Sequence, residues 1–132
     1  MSELKIDEVR RALLAVIPGI AVAFEAQAQD ATVMQPQSYR IALENEYVRV
    51  LDFHSRPGMG VCGSGMHSHP AHLTVLLSDG AVRLKTPDGK VQVQRNMPLG
   101  TVFWEPAVTH SVENVSGANM RGLLIEIKGA KG

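Results

Sequence analysis

The sequence predicts one small all-β domain of the barrel or sandwich type, on two observations. From residue 39 onward, about eight short apolar runs follow one another, and turns rich in glycine and proline separate them. Residues 91–94 alternate strictly between valine and glutamine, which is typical of a strand with one buried and one solvated face. Short strands at this spacing favour a closed barrel or sandwich, and a small barrel can hold a ligand between its inward-facing side chains.

The composition and charge are those of an ordinary globular protein. The chain has 132 residues, of which 45% are hydrophobic and 20% charged, and its formal net charge is zero. This length predicts a single domain. Without a net charge or a basic stretch, the chain is not expected to bind nucleic acid or an acidic membrane surface by bulk charge. The single cysteine, Cys62, excludes an intrachain disulfide.

Residues 1–28 have the pattern of a cleavable signal peptide. Arg10 and Arg11 precede an apolar run over residues 12–24, and a small-residue Ala-Gln-Ala box ends at Ala28. The run is too short to span a bilayer as a mature helix. We therefore predict a periplasmic or secreted protein without an integral membrane segment. The alternative is an amphipathic helix that is retained and docks on the domain, in which case the protein is cytoplasmic.

The first strands of the domain follow a linker. Residues 29–38 show no clear period and are predicted to be a linker or N-terminal arm, so that the barrel domain covers residues 39–132. Residues 39–43 and 47–54 are predicted strands, because both are rich in apolar residues and a polar segment separates them. One proline and four glycines make residues 55–65 a loop.

The later strands are bounded by clear turn signals. A strand is predicted at residues 73–77, directly after a histidine-rich stretch. Residues 81–85 and 90–94 flank a Thr-Pro-Asp-Gly segment, which is a strong signal for a β-hairpin. Three further strands are predicted, over residues 101–104, 110–115 and 120–128.

Three of the five histidines, His67, His69 and His72, fall within six positions. If this stretch is extended, His67 and His69 point to the same face, because side chains alternate along a strand. Two imidazoles on one face provide half of a metal site. The other half must come from a distant part of the chain, and His110 is the only other histidine downstream.

The direction of His72 stays open at this point. In a regular strand it points away from His67 and His69, and Leu73 takes the inner position. Pro70, however, cannot donate a backbone hydrogen bond and often marks a bulge or an edge. A one-residue bulge would turn His72 inward as a fourth ligand. Otherwise it is a histidine of the pocket rim or the surface.

The two histidine stretches resemble the two motifs of the cupin superfamily, whose members are small jelly-roll β-barrels. The first motif has a glycine, a His-x-His pair, a glutamate and a closing glycine. Its counterparts here are Gly60 or its glycine neighbours, His67, His69 and Gly80. The second motif is Gly-x5-Pro followed by a histidine and, after three further residues, an asparagine. Its counterparts are Gly100, Pro106, His110 and Asn114, with the proline-to-histidine spacing one residue shorter than usual.

The resemblance covers residues 39–128 and implies an all-β, small cupin-type jelly-roll β-barrel that binds one divalent metal through His67, His69 and His110. The glutamate of the first motif is missing, because its position falls at Leu73 or Thr74. The resulting three-histidine site is similar to that of the thiol-dioxygenase branch. All-imidazole sites suit Fe, Zn, Ni or Cu.

This resemblance implies an enzyme that acts on a small organic substrate, a metal-dependent dioxygenase or an isomerase. The alternative is a non-catalytic module that binds a small ligand or the metal itself. No residue stands out as a general base, so the catalytic group stays open. Cupins commonly dimerise, and a homodimer through an unpaired arm at residues 30–43 is therefore expected.

Other residues that carry reactive or polar groups are predicted to have structural roles. We expect Trp104 to pack in the core, with the mouth of the barrel as the alternative, and Glu105 to be a solvated turn residue, with an acid of the pocket as the alternative. His54 is expected to be structural or to lie at the surface. Asn114 is expected to satisfy backbone groups rather than to support a ligand, and Cys62 to be an inert loop cysteine rather than a thiol near the metal.

Overall fold

The structure is a computed structural model that describes residues 29–57 and 65–129. The predicted signal peptide at residues 1–28 and the loop cysteine Cys62 lie outside the described residues. Within them, the chain forms one short helix and nine strands: α1 (Ala31–Met34), β1 (Tyr39–Glu44), β2 (Val48–Ser55), β3 (His67–His69), β4 (His72–Leu76), β5 (Gly80–Lys85), β6 (Val91–Met97), β7 (Val102–Glu105), β8 (Val108–Asn114) and β9 (Met120–Ile127).

The strands form two antiparallel sheets that face each other. The order is β1-β2-β9-β4-β7 in the five-stranded sheet and β3-β8-β5-β6 in the four-stranded sheet. Inward-facing residues such as Leu51, Phe53 and Leu124 form the core between the sheets. The predicted hairpin joins β5 to β6, and Gly89 has the positive φ of 88° that its tight turn requires. The predicted all-β jelly roll is therefore confirmed.

The histidine-rich stretch is divided between the two sheets. β3 pairs with β8, whereas β4 pairs with β7 and β9. The chain changes sheet at Pro70 and Ala71, where a proline is tolerated because no ladder hydrogen bond is needed from it. Because the strand is interrupted here, the alternation of inward and outward side chains begins again in β4. His72 is therefore buried in the interior, and Leu73 is on the opposite face of β4. The regular strand considered for this stretch is therefore not formed.

The predicted N-terminal arm is packed on its own barrel. Asp30 caps α1 by accepting a hydrogen bond from the backbone N–H of Thr32, and Ala31 is fully buried. The backbone N–H of Ser68 on β3 donates to the carbonyl of Gln29 at 2.7 Å. These contacts fix the arm beside β3, so in the single chain it is not the unpaired segment that we expected. With four residues, the only helix in the described part of the chain is far too short to cross a membrane.

Candidate metal centre

The pairing of β3 with β8 brings His67, His69 and His110 together. In the register of these strands His67 lies opposite His110, and His69 lies two residues farther along the same face of β3. One nitrogen of each ring lies within 4.8 Å of the corresponding nitrogens of the other two rings. All three side chains are buried, at 2–4% exposure. The structure therefore assembles the three residues that the two sequence motifs predicted.

These rings carry nitrogen atoms that have no hydrogen-bond partner within the described part of the chain. The atoms are Nε2 of His67, both ring nitrogens of His69 and Nε2 of His110. Buried polar atoms are normally paired, because an unpaired one costs roughly 1–3 kcal/mol. Nδ1 of His67 lies 2.8 Å from the carbonyl oxygen of Gly65 and can donate to it, which leaves the lone pair of Nε2 free. A metal ion held by one nitrogen of each ring would satisfy three of these four atoms, so the donor set fits one.

The surroundings favour neutral imidazoles. Burial lowers the pKa of His67, and it lowers the pKa of His110 to about 4. The pKa of His69 lies well below its ordinary value, because burial and then the neighbouring histidines oppose a positive charge. A metal must compete with protons for these nitrogens, and the low pKa values remove that competition at neutral pH.

His72 lies beside this cluster and differs from it in its partners. Its side chain is 1% exposed, but Nδ1 lies 2.7 Å from the carbonyl oxygen of Pro70 and Nε2 lies 3.2 Å from Oε1 of Glu105. Burial opposes its protonation, but the hydrogen bonds to Glu105 and Pro70 outweigh this effect and raise its pKa. Both ring nitrogens therefore already have partners, unlike those of the three clustered histidines.

Glu105 was predicted to be a solvated turn residue, and this prediction is wrong. It lies on β7 directly opposite His72 on β4, and its side chain is only 25% exposed. Oε1 contacts His72, and Oε2 lies 4.0 Å from Nδ1 of His110. Burial alone would raise the pKa of Glu105, but the contacts with His72 and His110 lower it. The site thus has a carboxylate that comes from β7 and not from the first motif.

The remaining candidates have the surroundings of structural or surface residues. Asn114 donates to the carbonyl oxygens of Ser55 and Ala118 and accepts from Ser116, so its predicted structural role is confirmed. His54 lies at the surface as predicted, with its side chain 53% exposed. Trp104 is 46% exposed, so the prediction that it packs in the core is wrong.

A cavity of about 190 Å³ adjoins the histidines between the two sheets. His69, His72, Glu105 and His110 lie at one part of its wall. Most of the remaining wall is apolar and comes from β2, β4, β5, β6, β7, β8 and β9. Concave sites of this kind, with a few polar groups on an apolar wall, are typical of small-molecule binding.

The fold is similar to that of solved cupin structures. A cupin domain from Bordetella pertussis is 28% identical to this chain with a TM-score of 0.60, and the match covers 69% of this chain and 92% of that one. A conserved protein with a double-stranded β-helix domain from Klebsiella pneumoniae is 19% identical with a TM-score of 0.52, covering 72% and 81%. The second likeness concerns the fold alone. No protein-family model and no curated protein matches this chain. The structural match to the cupin domain from Bordetella pertussis confirms the resemblance to the cupin superfamily.

Proposed function

We propose that this cupin binds one divalent transition metal through His67, His69 and His110 and acts as a dioxygenase-type enzyme on a small organic molecule. The observation that carries the proposal is the group of buried, unpartnered imidazole nitrogens at the wall of a cavity. Fe, Zn, Ni and Cu all suit three imidazoles, and Fe or Cu would supply the redox chemistry that an oxygenase needs.

The residues of the chain have distinct roles in this proposal. The hydrogen bond from His67 to Gly65 orients one ring, and the register of β3 and β8 sets the positions of the other two. The contact between His72 and Glu105 holds a carboxylate beside the site, where it can accept a proton or a hydrogen bond from a bound molecule. The apolar wall excludes water from the bound molecule.

Metal content tests the first half of the proposal. The chain is purified without an affinity metal and analysed for bound elements, together with His110→Ala and the control His54→Ala. The wild type and His54→Ala should each carry close to one metal ion per chain, because His54 is exposed and distant from the cluster. His110→Ala should lose the metal. A wild type that holds no metal and gains none on incubation would overturn the proposal.

Oxygen uptake tests the second half of the proposal, the dioxygenase activity. The Fe(II)-loaded chain should consume oxygen when a suitable small substrate is added, and the His110→Ala variant should not. If the chain holds iron stoichiometrically but consumes no oxygen with thiols, diketones or phenols, the oxygenase assignment fails. The alternative function, a module that binds a small ligand or the metal without turnover, would then stand.

Two properties of the whole protein belong to the same proposal. We infer that the protein is exported and that residues 1–28 are removed. A chain cleaved after Ala28 keeps both Gln29 and Asp30, whose contacts fix the arm. Intact-mass analysis of protein recovered from the periplasm tests this, and a mass that still includes residues 1–28 would contradict it. We also infer that the protein is a homodimer.

A further inference from the structure

The wall of the cavity beside the metal centre contains no positively charged side chain among the described residues. Its apolar part includes Phe53, Leu84, Met97, Phe103, Met120 and Leu124. Its polar side chains beyond the histidines belong to Tyr39, Thr74, Gln94 and Glu105, and none of these is a lysine or arginine. A carboxylate or phosphate that a bound molecule places against this wall, away from the metal, would therefore lose its hydration without gaining a cationic partner.

Arg49 is a cation close enough to the cluster that, after burial and the neighbouring histidines, its charge also lowers the pKa of His69. Its guanidinium is already engaged by two carboxylates, however. Nη2 lies 2.6 Å from Oδ1 of Asp30, and Nε lies 2.7 Å from Oε1 of Glu126. Arg49 is also not among the residues that line the cavity. An anion would need to displace one of these ion pairs to reach it.

Glu105 makes the cavity favour a hydrogen-bond donor and disfavour an anion. One of its oxygens contacts His72, while the other lies 4.0 Å from His110, too far for a hydrogen bond. A carboxylate oxygen accepts more than one hydrogen bond, so this group can accept one from a hydroxyl on a bound molecule. It would repel a carboxylate in the same place.

The size of the cavity limits the body of the molecule. Its volume of about 190 Å³ is somewhat larger than a cavity of about 150 Å³ that takes up benzene in another protein. A single substituted ring, or an aliphatic group of similar volume, would fill it. The sulfur of Met97 or Met120 and the ring of Phe103 would contact such a body favourably.

We propose that the cavity binds a neutral, mainly apolar molecule of about one ring in size that carries a hydroxyl group, a phenol or an enol, with the hydroxyl on Glu105. The same lining discriminates against substrates that carry a carboxylate or phosphate. This inference rests on the proposed function only in placing the substrate beside the same histidines.

Calorimetric titration with matched ligands tests the proposal. The full chain is titrated in Zn(II)-loaded and metal-free forms with 4-ethylphenol, 4-ethylbenzoate and cysteine, and the metal content of each sample is measured separately. The Zn(II)-loaded chain should bind the phenol at least about tenfold more tightly than the benzoate, which corresponds to a difference of about 1.4 kcal/mol. Preferred binding of the benzoate or of cysteine would overturn the substrate class, even if the metal is bound at one equivalent.

Two variants test the residues that are responsible. Glu105→Gln should lower the phenol-to-benzoate affinity ratio, because it removes both the charged acceptor and the repulsion of the benzoate. Gln94→Arg adds a cation to the wall and should raise benzoate affinity in particular. The control Glu113→Gln changes an exposed carboxylate that pairs with Arg83, and it should change neither affinity. An unchanged ratio in both Glu105→Gln and Gln94→Arg would contradict the proposal.

The two proposals fail separately. A chain that binds no metal but still prefers the phenol would retain the substrate class and overturn the metal centre. A chain that holds zinc stoichiometrically but binds none of the three ligands would retain the metal centre and overturn the substrate class.

Discussion

At the scale of single residues, His69 and His72 are two buried histidines with opposite surroundings. Their ring centroids lie 5.0 Å apart. Both nitrogens of His69 lack partners in the described part of the chain, while both nitrogens of His72 are within hydrogen-bond distance of Pro70 or Glu105. In the proposed function, this difference separates a metal ligand from a residue that positions a carboxylate, and its effect on metal affinity can be measured.

We expect His69→Ala to weaken zinc binding by more than 100-fold, because it removes one of three ligands. His72→Ala should weaken it by about tenfold or less, the lower end of the effect of groups that only contact ligands. Competition with a chromogenic chelator measures both affinities, and circular dichroism controls for folding. Equal losses in the two variants would show that His72 is itself a ligand, which was the alternative at the sequence level.

The buried histidines also predict the pH dependence of stability in the metal-free chain. In the unfolded chain they take up protons near pH 6.5, whereas His110 in the folded chain does so only at about pH 4. Between these values the unfolded state binds more protons, so the free energy of unfolding decreases as the pH falls. His110 alone accounts for roughly 3 kcal/mol of this decrease.

His72 acts in the opposite direction, because its raised pKa favours the protonated folded state. Its contribution is present below pH 6.5 and is lost as the pH rises through its folded pKa, so it offsets part of the slope. Urea unfolding between pH 7 and pH 4 measures the sum of these contributions to the free energy of unfolding. His110→Gln should flatten the decrease. A stability that rises toward pH 4 in the wild type would contradict the three low pKa values.

The sequence was sufficient to identify the three clustered histidines but not the carboxylate beside them. Two short motifs identify His67, His69 and His110. Because side chains alternate along a strand, the spacing of two residues places His67 and His69 on the same face. Glu105 faces His72 only because β4 pairs with β7, and no local pattern encodes that pairing. The residue before a proline at a strand end is commonly a solvated turn residue, so the local pattern favoured the wrong environment.

At the scale of elements, the N-terminal arm is held to the barrel by one ion-paired arginine. Arg49 on β2 lies between Asp30, at the start of α1, and Glu126 on β9. All three side chains are at most 16% exposed. The sequence predicted an arm without structure here, because a four-residue helix is too short to produce a hydrophobic period. Its conformation is set by tertiary contacts and by the Asp30 cap.

We expect Asp30→Ala to lower the free energy of unfolding by about 2–4 kcal/mol, because it removes a helix cap and leaves Arg49 with one carboxylate. The control Glu44→Ala removes a similar ion pair with Lys128 in which both side chains are 40–44% exposed, and it should cost less than about 1 kcal/mol. Urea unfolding of both variants measures the difference. Equal costs would show that the arm does not stabilise the barrel.

At the scale of the whole molecule, the outer face of the five-stranded sheet carries an apolar patch on β4, β7 and β9. Strand pairing places its side chains side by side, with Val75 next to Val102 and Leu123, and Leu73 next to Trp104 and Ile125. We call these six residues the outer-sheet patch. Val102 is 56% exposed and Trp104 is 46% exposed. The strands on which the patch lies thus carry apolar side chains on their outer face as well as in the core, which is typical of sheets that are covered on both sides.

A second copy of the chain would cover the outer-sheet patch, and this is the basis of the homodimer that we propose. A twofold axis makes one patch serve both partners, and an uncharged patch carries no repulsion between copies. The arm exchange expected from the sequence is less suitable, because α1 and β1 are already engaged with their own barrel. Contiguous exposed apolar surface of this kind is a common feature of protein interfaces.

A charge placed in the outer-sheet patch should disrupt the predicted dimer. Val102→Lys places two charges in the interface and should raise the dimer dissociation constant at least about tenfold, while an exposed substitution changes the stability of the single chain by only about 0.5 kcal/mol. Val91→Lys is the matched control, since Val91 is 55% exposed on β6 of the other sheet. Sedimentation equilibrium measures both constants. A wild type that is monomeric at about 100 μM, or a Val102→Lys variant that dimerises as well as Val91→Lys, would exclude this face as the dimer interface. Since the outer-sheet patch lies on the five-stranded sheet and the three clustered histidines lie on β3 and β8 of the four-stranded sheet, Val102→Lys should also leave the metal content unchanged, so that a loss of assembly is distinguishable from a loss of fold.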